Sequence, residues 1–140
     1  MFYSARQTSD CSLFTDSKDL VKVKKGPMGI EGVSCEAGLL TFKFGAKKDR
    51  PSDDALLMFD VYAVNKGEIT IKLISDYFGE KKEYLSKVNL LGGEVWQNIK
   101  LEVSRFKTAE GRNLKSMEKI EAVEFIVSGG EYLINNALWL

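Results

Sequence analysis

Trp96-Gln97-Asn98-Ile99-Lys100-Leu101-Glu102-Val103, Ile120-Glu121-Ala122-Val123-Glu124-Phe125-Ile126-Val127 and Tyr132-Leu133-Ile134-Asn135-Asn136-Ala137-Leu138-Trp139-Leu140 are the three runs that decide the fold. In the first, Ile99, Leu101 and Val103 recur at every second position, and Val95 just ahead of it shares their face. That is the period of a strand buried on one side. Trp96 falls on the opposite parity, where it is expected to cover the rim of a sandwich. The other two runs close the chain and are joined by Ser128-Gly129-Gly130-Glu131, a turn composition. In the final run Tyr132, Ile134, Asn136, Leu138 and Leu140 share one parity, and Leu133, Asn135, Ala137 and Trp139 share the other. Between the first run and the second, Ser104 to Glu118 breaks the alternation. It reads as an irregular crossover with one helical turn, anchored by Phe106 and Leu114.

The same period continues toward the N-terminus. Leu56 to Val64 puts Leu57, Phe59, Val61 and Ala63 on one side and Met58, Asp60 and Tyr62 on the other. The aspartate settles which side is core, because burying an unpaired carboxylate costs far more than exposing a methionine. Asn65-Lys66-Gly67 reads as a tight turn, with Ile69, Ile71 and Leu73 continuing the apolar set, so this pair is expected to form a hairpin. Asp76 to Lys82 reads as the next connection, and Gly92-Gly93 ends a strand over Glu83 to Leu91 whose parity Tyr84, Val88 and Leu85 leave ambiguous. Earlier still come Leu39 to Phe44 and Leu20 to Lys24, the latter closed by Lys25-Gly26-Pro27, with a charged loop expected over Gly45 to Asp54. About eight short strands punctuated by turns make an all-β protein built as a sandwich of two antiparallel sheets.

Composition narrows the function. A chain of 140 residues is expected to form one domain over residues 1–140, without repeat or linker. Twenty basic and 20 acidic residues give zero formal net charge, so no cationic excess exists to neutralise a phosphate backbone, and nucleic acid is not an expected partner. The apolar runs fall far short of the roughly 20 residues that cross a bilayer, so no membrane partner is expected. Cys11 and Cys35 show no spacing signature, and free thiols are expected in a chain of this size. Two cysteines and no histidine leave a structural zinc short of its usual ligands. The absence of histidine also removes the Ser-His and Cys-His nucleophile arrangements and the commonest general base near neutral pH. No catalytic residues are assigned. Glycoside hydrolysis by paired carboxylates, such as Asp53-Asp54 or Asp60 with Asp76, stays formally open, although solvated charge accounts for both pairs.

The order Phe59-Asp60-Val61-Tyr62, Trp96-x-x-Ile99-x-Leu101, Phe106, Leu114, Ile120-x-x-Val123-x-Phe125 and Tyr132-Leu133-Ile134-Asn135-Asn136 resembles the galactose-binding-like jelly rolls among non-catalytic carbohydrate-binding modules, the group that includes family 11. The likeness spans Leu39 to Leu140. It implies a jelly roll in which one sheet combines Leu20 to Lys24, Tyr132 to Leu140, Leu56 to Val64 and Val95 to Val103. The other sheet then combines Leu39 to Phe44, Ile120 to Val127, Ile69 to Leu73 and Glu83 to Leu91. It implies as function the binding of a polysaccharide or oligosaccharide by a module appended to a larger glycan-processing protein. Such a protein is extracellular or on the cell surface, with neighbouring domains of the longer chain as further partners; the polar first ten residues are equally compatible with the cytoplasm. In this group the last strand commonly reads Ile-Asp-Asn, and a structural calcium can sit between the chain ends. Asn135 stands where the aspartate would be, which argues against calcium, so no metal site and no cofactor are expected.

Tyr62 and Trp139 form the sharpest binding expectation. A pyranose stacks its C–H face on an aromatic ring and needs planar polar partners for its hydroxyls. The expected sheet order makes the strands of Tyr62 and Trp139 neighbours, so both rings should share an outer face with Met58, and Asp60 and Asn135 should supply the polar partners. Asp76 and Tyr77, read as a loop aromatic beside a carboxylate, form a second candidate. The alternative to sugar binding is an ancillary sandwich that packs on other domains or on itself, in which Trp139, Met58, Ile74 and Ile126 become an interface.

Overall fold

Leu57, Phe59, Val61 and Ala63 are buried while Leu56, Met58, Asp60 and Tyr62 are half-buried, so the period-two pattern of the sequence is realised residue for residue in one strand. The computed structural model describes residues 21–35, 39–43, 54–77, 80–114, 119–128 and 130–139. Among them are nine strands: β1 (Val21–Lys25), β2 (Glu31–Cys35), β3 (Leu39–Lys43), β4 (Leu56–Ala63), β5 (Gly67–Tyr77), β6 (Glu80–Leu90), β7 (Val95–Glu102), β8 (Ile120–Val127) and β9 (Tyr132–Trp139). They form a five-stranded sheet ordered β1-β2-β9-β4-β7 and a four-stranded sheet ordered β3-β8-β5-β6. All strand pairs are antiparallel. This is the expected jelly-roll order with one strand added, because β2 is inserted between β1 and β9. In Glu31-Gly32-Val33-Ser34-Cys35 only Val33 and Cys35 recur as apolar residues, with Glu31 on their parity and glycine and serine on the other, which hid that strand in the sequence.

The inner faces meet in one core. Leu57, Phe59 and Val61 of the first sheet pack with Ile69, Ile71, Leu73, Val123 and Phe125 of the second. Phe59 and Phe125 meet edge to face with centroids 4.9 Å apart, a favoured aromatic geometry. The ambiguous strand resolves with Tyr84 and Leu90 buried inward, while Leu85 sits opposite Lys72 on the outer side. The crossover after β7 opens with a short 3-10 turn at Val103–Arg105, buries Phe106 fully and lays Leu114 against the core.

The turn after β4, expected from its local chemistry to close a hairpin, is an arch: there, as after β6 and β8, the next strand lies in the opposite sheet, in keeping with the sheet order that the resemblance implies. Alternation alone does not separate the two cases, since a hairpin and an arch over the edge of a sandwich both point the same residues inward. The arches stack on one another: Gly93 and Glu94 donate their N–H groups to Val64 and Ala63, and Val64 donates to Glu131. Gly92, at φ +70°, sits so close to Asn65 and Lys66 that a Cβ there would lie 2.5 Å from the Lys66 nitrogen. Conversely, Asp76 and Tyr77 do not lie in a loop. They end β5, opposite Lys81 and Glu80, in a hairpin that is tighter than the sequence suggests. Cys11, Phe44, Phe78, Gly129, Leu140 and the loop expected at Gly45 to Asp54, except Asp54 itself, lie outside the described residues.

Candidate functional site

The five-stranded sheet presents its outer face in rows. β4 runs between β9 and β7, and its outward residues meet partners on both sides: Tyr62 opposite Leu133 and Trp96, Asp60 opposite Asn135 and Asn98, Met58 opposite Leu138 and Lys100. The middle row is polar and connected. Asn98 donates its amide N–H to Asp60 Oδ1 at 2.8 Å, and Asn136 donates to Asp60 Oδ2 at 3.0 Å. An ionised carboxylate offers about four acceptor positions, so two remain for another donor.

Beside that row stands an aromatic pair. The Tyr62 and Trp96 rings lie with centroids 5.9 Å apart at 47°. The Tyr62 hydroxyl is held above the usual tyrosine value, first by desolvation and then by the carboxylates of Glu94 and Glu131, so it stays a neutral donor. The turn between β1 and β2 folds over the far side of Trp96. Hypothetical Cβ atoms on Gly26 and Gly32 would lie 3.1 Å and 3.0 Å from the indole, and the one on Gly32 would also lie 2.7 Å from Leu133 Cβ. Only glycine lets the hairpin approach so closely. Trp96 is therefore half-buried between Tyr62 and the hairpin, and Tyr62 is the half-exposed ring next to the polar row.

Trp139 is not on this face. Register along β4 and β9 runs evenly from Ala63–Tyr132 to Asp60–Asn135, then shifts, so that Met58 meets Leu138 and Leu57 meets Trp139. The extra residue is accommodated at Asn136, whose φ of 53° is left-handed. A bulge of this kind inverts the facing of everything after it. Trp139 accordingly shares the side of Leu57 and, partly buried, packs against the core, so it does not stand on the outer face beside Tyr62 as strict alternation leads one to expect. Asn135, opposite Asp60, is buried, and its side-chain oxygen accepts the Asn136 N–H at 2.8 Å. Asn136, at the bulge, turns its amide to Asp60.

Of the six expected site residues, Asp60 and Tyr62 stand together on the outer face, Asn135 is buried opposite Asp60 and Trp139 turns inward. Asp76 and Tyr77 belong to β5 in the other sheet and join no common cluster with them. Asn98 and Asn136 were missed. Asn98 was legible, two residues from Trp96 on the outward parity of β7; Asn136 was not, because its role depends on the bulge.

Solved structures share this architecture. A family 11 carbohydrate-binding module from Clostridium thermocellum, solved with a β-1,3-1,4-mixed-linked tetrasaccharide, aligns with a TM-score of 0.62 at 15% identity over 84% of this chain and 79% of its own. The fold is that of a carbohydrate-binding-module jelly roll. A family 30 carbohydrate-binding module of a cellulosomal cellulase from the same organism gives a TM-score of 0.60 at 10% identity, over 88% of this chain and 83% of its own. An exo-β-agarase gives 0.53 at 12% identity, with 86% of this chain matched to only 21% of the agarase. The sequence itself matches no family model and no curated relative.

Proposed function

We propose that the chain is a non-catalytic module that binds a polysaccharide or oligosaccharide across the outer face of the five-stranded sheet. The observation that carries the proposal is the half-exposed Tyr62 ring two residues along β4 from an Asp60 carboxylate already oriented by Asn98 and Asn136. A sugar ring stacks on Tyr62, and its hydroxyls donate to Asp60 and exchange hydrogen bonds with the two amides. Holding Asp60 between two amides keeps its geometry fixed, so little side-chain entropy is lost on binding. The jelly-roll architecture shared with modules such as the one solved with a mixed-linked glucan supports the same reading. As a module of a longer secreted or cell-surface protein, it raises the local concentration of its neighbours on the glycan. The agarase, of which the matched part is a small share, supports that placement.

The test is a glycan array on the purified domain with and without calcium, followed by titration of each hit. Tyr62→Ala and Asp60→Ala, both checked for folding by circular dichroism, are expected to abolish binding. Silence across plant, microbial and host glycans, or hits indifferent to both substitutions, would overturn the proposal.

A further inference from the structure

A second concavity lies at the edge of the other sheet. After β7 the crossover doubles back as a short hairpin, in which Lys107 pairs with Leu85 of β6 on one side and with Asn113 on the other. Its turn is tightly closed: Thr108 and Gly111 donate to the carbonyls of Arg112 and Thr108, and the Arg112 N–H donates to Thr108 Oγ1 at 3.1 Å. Gly111 at φ +85° completes it. The gap between this turn and β6 is a groove of about 390 Å³ floored by the buried Tyr84, within the size of small-molecule sites.

Its walls carry Lys81, Lys82 and Arg112 against Glu83 and Glu110. The Glu83 carboxylate is drawn out of this balance, because it lies 3.4 Å from Lys72 on the outer face of the sheet. Lys81 is drawn away likewise, toward Glu121 of β8 at 3.5 Å. The Arg112 guanidinium makes no ion pair among the described residues, while its backbone is fixed at both N–H and C=O by Thr108. A planar guanidinium on a fixed turn, sharing the groove wall with Lys82, matches the paired oxygens of a carboxylate or a sulfate. Thr108 and Asn113 line the same groove and suit hydroxyl groups beside such an anion.

We infer that this groove is a second ligand site, which takes a sugar bearing an acidic group, either the carboxylate of a uronic acid or a sulfate ester. The anion sits on Arg112 and Lys82. That the anion is borne by a sugar rests on the function proposed above; the anion chemistry of the groove does not. The two surfaces lie on different sheets, so substitutions separate them.

The experiment follows backbone amide NMR shifts and affinity with three probes: an oligogalacturonate, a sulfated galactan oligosaccharide and a neutral mixed-linked glucan oligosaccharide. These are titrated into the wild-type domain, Arg112→Gln and Tyr62→Ala. The expected result is that one acidic probe shifts Thr108, Arg112 and Asn113, binds about tenfold more weakly to Arg112→Gln and weakens as salt rises, while Tyr62→Ala leaves it unchanged. Which acidic probe binds tells the uronate from the sulfate source. Acidic probes that leave these amides unmoved, bind Arg112→Gln as well as wild type, or depend on Tyr62 overturn the inference. A silent neutral probe alongside an Arg112-dependent acidic one counts against the sheet-face function alone.

Discussion

Replacing Asn136 by alanine tests the bulge that decides which residues face the candidate site. Two contributions are lost together. The left-handed conformation at φ 53° is tolerated by asparagine but costs an alanine about 1 kcal/mol more. The 3.0 Å hydrogen bond to Asp60 goes as well, and although bonds to charged groups reach about 1.5–3 kcal/mol, half-exposure brings this one to about 1 kcal/mol. Asn136→Ala should therefore destabilise the domain by about 2 kcal/mol, which for a chain of this length lowers the melting temperature by about 6 °C. Asn136→Gly loses the same hydrogen bond but adopts the left-handed conformation freely, so it should stay within about 1 kcal/mol of wild type. The assay is urea unfolding followed by circular dichroism, with calorimetric melting as a second reading. The refuting result is an alanine variant at least as stable as the glycine variant, since no left-handed residue then sits at position 136, and the inward turn of Trp139 loses its cause.

Two further outcomes follow from the same face. Gly32→Ala, whose Cβ meets Leu133 at 2.7 Å and the Trp96 indole at 3.0 Å, should cost about 1–3 kcal/mol and shift tryptophan fluorescence as the hairpin lifts; an unchanged melting temperature and spectrum would show that the hairpin does not seat there. Because Tyr62 ionises above the ordinary tyrosine value in the fold, the unfolded chain loses that proton first, binds fewer protons and is favoured as pH climbs past about 10. Stability should fall over that alkaline range, and Tyr62→Phe should flatten the fall in urea midpoints measured across it; an identical slope in both proteins would assign the effect to other groups.

Much of the fold was legible because burial on one side of a strand writes itself into every second residue. Leu57, Phe59, Val61 and Ala63 could be assigned to the core from Asp60 alone, and both sheet orders followed from the resemblance except for β2. β2 escaped because Gly32 carries no side chain for an apolar pattern to register; its meaning is steric, a close approach to Trp96 and Leu133 that exists only once the hairpin is folded over the sheet. The turn after β4 reads locally as a hairpin because turn chemistry says where the chain reverses and not which sheet it enters; only the sheet order implied by the resemblance makes it an arch.

The sequence by itself determined an all-β sandwich, the inward set of each regular strand, the outward placement of Tyr62 and Asp60, and a chain without histidine chemistry. Tertiary structure alone decided that Trp139 turns toward the core, that Asn136 joins Asn98 on Asp60, and that Arg112 and Lys82 line one groove. The physical reason is one of range. Alternation is a local rule, and a single left-handed residue inverts it for all that follows, whereas the groove depends on a crossover and a strand distant along the chain pairing through one bridge at Leu85 and Lys107.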